Sequence, residues 1–231
     1  MIARLNLIPI AQSLRGVEAH WQEIDDELDR LKIGRKDTPF NAVLRERMMA
    51  AYEYLDSLLA EGVQPFEPGT IRQMIELNEL VHYGNDFALR EEYKKAIEAT
   101  RKKVHANIPA AERWYHQHVR RGSEPLKIAA EIYVSILGQP QVFIEGNHRT
   151  GALIASWIDL VNGLPPFVLS VDNAIAYFAP SAEIKGFVNV STWRGRTQLP
   201  KYRKRFGAFW ARHVDPRYVL PTNDTHLTVG P

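Results

Sequence analysis

Glu145, Gly146 and Asn147 stand immediately before a strongly apolar segment whose opening residues are His148, Arg149 and Thr150. A helix starting there leaves several backbone N–H groups without intrahelical partners and carries the positive end of the helix dipole. Gly146 lets the backbone approach a ligand closely, and Asn147 can cap the helix or donate to an oxygen. Arg149 adds a planar cation at the same place. Together these residue types suit a phosphate-like anion. Glu145 beside them could hold Mg²⁺, which binds phosphate oxygens and needs only one or two protein carboxylates. A plainer arrangement uses the same residues structurally, with Asn147 capping the helix and Arg149 paired to Glu145. Spacing leaves both open.

The run Phe143-Ile144-Glu145-Gly146-Asn147-His148-Arg149-Thr150-Gly151 resembles the Fic (Fido) motif, H-P-F-x-[DE]-G-N-G-R-x-x-R. Phe143, Glu145, Gly146, Asn147 and Arg149 match at their places. The resemblance extends from about Thr70 to Lys185, through Pro166-Phe167-Val168-Leu169 and Pro180-Ser181-Ala182-Glu183-Ile184-Lys185. It implies an all-α, mainly helical Fic/Fido fold with room for one small β-hairpin. It also implies a loop that binds nucleotide phosphates through Phe143, Gly146, Asn147, Arg149, Thr150 and Gly151, with Glu145 holding the metal. The implied cofactor is Mg²⁺ with ATP or another nucleotide. Members usually transfer AMP to a hydroxyl of a target protein, and some relatives transfer UMP, phosphocholine or a phosphate.

Three departures bear on the chemistry. The family histidine that deprotonates the target hydroxyl is replaced by Gln141, whose amide cannot take up a proton near neutral pH. Loss of a general base costs about 10²–10⁴-fold in rate. His148 stands where the family has its second glycine, narrowing the anion hole and offering a base from a new position; its plainer role is a helix-start cap or ion-pair partner. Ala152 replaces the last arginine, leaving Arg149 to carry the phosphates alone.

Elsewhere, Ser57, Glu61 and Gly62 fit the inhibitory pattern [ST]-x-x-x-E-[GN] of the family, yet the same residues read as the end of a helix with a C-terminal glycine. The segment from His82 to Ile108 lies where the family places its target-docking flap, with Tyr83, Asn85 and Asp86 as candidate cleft residues; its charges read equally as a solvated helix face. His20, His82, His105, His116, His118 and His213 show no metal-ligand spacing with acids, so no zinc site is expected. Around Lys201-Tyr202-Arg203-Lys204-Arg205-Phe206, cations interleave with aromatics as nucleic-acid contacts do. A C-terminal helix docked through Phe206, Phe209, Trp210 and His213 accounts for that pattern better.

The elements that must position the loop read as helices. Leu14, Val17, Trp21, Ile24, Leu28 and Leu31 form one apolar stripe. Thr38-Pro39 opens a helix running to Glu61, stopped by Gly62. Further helices are expected near Thr70 to Val81, Leu89 to Val104 and Pro109 to Arg120. Leu126 to Leu137 and Thr150 to Val161 are apolar almost all round and make the centre of the domain. Phe167-Val168-Leu169 reads as a short strand, followed by a short helix around Asn173 to Phe178. The expected organisation is an N-terminal helical extension (1–69), a Fic-like core (70–190) and a basic tail packed on it (191–231).

A chain of 231 residues, 45% hydrophobic and 24% charged, can bury a core. A net charge of +2 does not by itself imply a polyanion partner. Without cysteine there is no disulfide, thiolate nucleophile or Cys-ligated metal. No uninterrupted apolar run reaches membrane-spanning length and the N-terminus does not read as a signal peptide, so a cytoplasmic protein is expected. The expected partners are a nucleotide or another phosphate-bearing small molecule and a target protein, with neither nucleic acid nor membrane. Three functions remain open: a phosphate-ligand binder with weak transfer activity or a regulatory pseudoenzyme role, a non-catalytic interaction module, and a transferase using His148 as base.

Overall fold

The computed structural model describes residues 2–33, 39–187, 189 and 192–221. Its centre is a pair of helices, α7 (Pro125–Leu137) and α8 (Asn147–Val161), which pack on each other more extensively than any other pair. Ile128 to Val134 are all buried in α7, and Thr150 to Leu160 in α8, so both helices need neighbours on nearly every side. α3 (Ala42–Ala60) and α4 (Ile71–Tyr83) cover α8, while α6 (Lys94–Arg120), α9 (Ala174–Phe187) and α10 (Trp193–His213) cover α7. α1 (Leu7–Ala19) lies on α3, α2 (Trp21–Arg30) on α9, and the short α5 (Phe87–Glu92) joins α4 to α6. One hydrophobic core runs through all of this, from Leu5 to Tyr218.

The segments near the two ends of the described chain meet. Leu5 bridges Val219, Asn6 N–H donates to Tyr218 O at 2.8 Å, and Leu220 N–H donates to Arg4 O at 2.9 Å. Asp56 on α3 anchors this clasp by accepting from the Arg4 guanidinium and from Leu5 N–H.

The all-helical reading is correct, and several boundaries move for local reasons. The single stripe from Leu14 to Leu31 is two helices, because His20 leaves the helical conformation (φ −105°, ψ 16°); Leu31 lies past the end of α2 and is exposed. Thr38 lies outside the described residues, and α3 begins after Asn41, whose side chain accepts from Leu44 N–H at 3.0 Å. Pro109 does not divide two helices. The buried positions Ile97, Val104, Ile108, Ala111 and Tyr115 stay in phase across it, and packing holds α6 together. The separation falls earlier, at Tyr93.

Among the described residues no strand forms. Phe167 makes an isolated antiparallel bridge to Val214, and its N–H and C=O are both taken by the Ser156 hydroxyl of α8. The expected short strand and β-hairpin are therefore corrected to extended connecting chain. The C-terminal helix docks as expected: Phe206 and Trp210 are fully buried, and His213 stacks on Phe209. Among the described residues no helix is long and apolar enough to cross a membrane.

Candidate anion site at the start of α8

The loop from Gln141 to Gly146 is fastened from one side. Asn107 of α6 donates to Gln141 O (3.2 Å), Lys103 of α6 donates to Phe143 O (2.9 Å), and Asn78 of α4 donates to Glu145 O (3.1 Å). Asn78 also donates to the Thr150 hydroxyl (2.9 Å), locking the loop to α8. Asn147 closes it internally, accepting from Phe143 N–H at 2.9 Å and donating to Phe143 O at 3.0 Å. Three loop carbonyls that would repel an anion are thus held toward α4 and α6.

On the other side of the loop lies a cavity of about 400 Å³, a size usual for small-molecule sites. Its polar lining includes Gln141, Glu145, Gly146, His148, Arg149 and Lys185. Arg149 donates to Val81 O at 3.0 Å, so its guanidinium is tethered to the end of α4 rather than left to rotate. Gln141 donates to Leu137 O at 3.3 Å. Leu14, Trp21, Leu44 and Met48 of the N-terminal helices, with Phe40 just before α3, add apolar surface to the lining.

Gly146 is the hinge between loop and helix. It adopts φ +73°, a left-handed conformation that favours glycine, and a side chain here would run into His82 Nε2 and Asn78 Nδ2. His82 Nε2 is buried and makes no hydrogen bond among the described residues. Burial, followed by the charge of Arg149, pushes the His82 pKa down to about 4. The ring is therefore neutral at physiological pH and adds no charge to the site.

His148 sits in a hydroxyl network. Its Nδ1 lies 3.1 Å from the Tyr133 hydroxyl, which also meets Tyr177 Oη (3.0 Å) and Ser181 Oγ (2.8 Å). Tyr177 donates to the His148 carbonyl at 3.0 Å, a pure acceptor, so its proton is spent there. Tyr133 donates in turn to the Tyr177 hydroxyl.

The candidate residues divide. Gln141, Glu145, Gly146, Asn147, His148 and Arg149 line the cavity. Phe143 and Thr150 are fully buried, the first in the core and the second against Asn78; Gly151 packs on the Tyr133 ring. These three shape the site from behind. Ser57, Glu61 and Gly62 finish α3 away from the cavity, with Gly62 at φ +73°. In the flap segment Asp86 caps α5 through Leu89 N–H, Asn85 is exposed, and Tyr83 lines a second hollow between α4 and α6. Ile144 and Glu145 form the wall shared by the two hollows.

Lys185, Tyr52, Asn78, Lys103 and Asn107 were not singled out by the sequence. The loop anchors act across 67, 40 and 34 residues, and no local pattern marks them. Among the described residues no three His, Cys, Asp or Glu cluster as a metal cage. The exposed Glu145 beside cationic lining residues nevertheless fits Mg²⁺ carried by phosphates, which needs few protein ligands.

No protein-family model matches the chain, and no curated protein or solved structure matches it either.

Proposed function

We propose that the protein is Fic-like and binds a nucleotide or another phosphate-bearing ligand at the start of α8. The observation that carries this reading is the asymmetry of the loop: its carbonyls are committed toward α4 and α6, while Arg149, Lys185 and the α8 N-terminus line the cavity. Glu145 is the residue that would hold Mg²⁺, which would neutralise phosphate oxygens there. With Gln141 in the base position, ordinary transfer of AMP to a protein hydroxyl is weak, and the protein acts as a feeble transferase or a regulatory pseudoenzyme. A cytoplasmic setting belongs to the same proposal, supported by the absence of cysteine.

Calorimetry with ATP, GTP, UTP and CDP-choline in Mg²⁺, on wild type and Arg149→Ala, tests it. Micromolar binding by the wild type that disappears in the variant is the expected result. No binding by either protein sinks the proposal and turns attention to a non-catalytic interaction module.

A second reading has an observation of its own. His148 lines the cavity beside Arg149, and its Nδ1 lies 3.1 Å from the Tyr133 hydroxyl, which orients the ring as a general base would need. In that reading His148→Ala abolishes any transfer seen with the wild type, and unchanged turnover dismisses His148.

A further inference from the structure

The cavity's lining is of two kinds, polar residues from the loop and the start of α8 and an apolar part drawn from the N-terminal segment. Leu14, Trp21, Phe40, Leu44 and Met48 are all buried, and they contribute hydrocarbon and ring surface. Ser13 donates to Leu169 O at 2.9 Å, tying α1 to the chain before α9 and closing this wall. Tyr52 also lines the cavity, at only 3% exposure.

A nucleobase presents several donors and acceptors on its edge, and leaving them unpaired in an apolar pocket is heavily penalised. The apolar part of the lining supplies hydrocarbon and ring surface together with Tyr52, which suits an alkyl or simple aryl group bearing at most one polar atom. We infer that the ligand is a phosphate ester of an apolar alcohol, its phosphate at Arg149 and Lys185 and its hydrocarbon portion between α8 and the N-terminal helices, beside Tyr52. This inference rests on the phosphate site proposed above and specifies what the phosphate is attached to.

The test is calorimetry on the full chain with inorganic phosphate, butyl, hexyl and octyl phosphate, 1-octanol and ATP, all with Mg²⁺. Affinity should climb with chain length, octyl phosphate binding at least about a hundredfold tighter than inorganic phosphate. Leu44→Gln should flatten that climb while leaving inorganic phosphate binding as it was. A flat chain-length series, or ATP binding tighter than every alkyl phosphate, overturns the apolar-ester inference and leaves the phosphate site standing. Octanol binding as tightly as octyl phosphate, unaffected by Arg149→Ala, overturns the phosphate site and leaves a site for neutral chains. Because the chain-length series uses the unaltered protein, misfolding of a variant does not blunt it. Absence of binding by all six compounds overturns both.

Discussion

His82 Nε2 lies in the space that a side chain on residue 146 would enter, and Gly146 holds φ at +73° directly against it. The two residues come from α4 and from the loop before α8, so the contact sets how closely the loop approaches α4. Gly146→Ala should destabilise the protein by about 1–3 kcal/mol through backbone strain, with the clash adding to it. Urea unfolding measures this, and combining the variant with His82→Ala should recover the clash portion alone.

The neutral state of His82 has a pH signature. Its folded pKa of about 4 lies below the ordinary 6.5, so between those values the unfolded chain binds more protons than the folded one. Stability should therefore fall as pH drops from 6.5 toward 4 and be unaffected by this group above that window. Denaturant melts across pH 4–8 on wild type and His82→Phe check it; an identical acid slope in the two proteins would contradict the assignment.

Asp159 on α8 gives the opposite slope. Its carboxyl is almost wholly buried, Oδ2 accepts from Trp210 Nε1 at 2.7 Å, and Oδ1 has no hydrogen-bond partner among the described residues. Burial raises its pKa well above the carboxylate range, so the folded state retains a proton that the unfolded chain loses. Its contribution is lost as pH rises above about 4 through the folded pKa. Asp159→Asn should raise the melting temperature more at pH 7.5 than at pH 4.

Asn147 makes both of its side-chain bonds to Phe143, whose N–H and C=O are buried in the loop. Asn147→Ala should cost about 2–4 kcal/mol, since it strands one buried donor and weakens the satisfaction of one acceptor. Lys103 remains on the Phe143 carbonyl, so the N–H should suffer most. Amide hydrogen exchange at Phe143 should accelerate selectively, and phosphate-ligand affinity should fall with it.

Much of the scaffold was legible because it follows local periodicity. The nearly all-apolar run Leu126 to Leu137 and the segment before Val161 declared themselves buried, and Gly146 with Asn147 marked a helix start between them. The stripe through Trp21 was legible as core, yet its use as a cavity wall depends on where α2 lies relative to α8, which no residue spacing encodes. The same holds for Lys185, delivered by α9. Pro109 misled because a single residue's helix penalty was outweighed by packing on both sides of it. His20 misled in the other direction, since the apolar stripe continues unbroken while the backbone does not.

The clasp between residues 4–6 and 218–220 gives the molecule a mechanical seam. Under tension applied at Arg4 and Leu220, the load falls on that bridge, on its two backbone hydrogen bonds and on the Asp56 contacts to Arg4 and Leu5. Next along the same thread come Leu14 and Trp21, part of the cavity's apolar wall. Stretching the protein would therefore disturb this wall of the cavity before it reached α7, α8 and the loop between them.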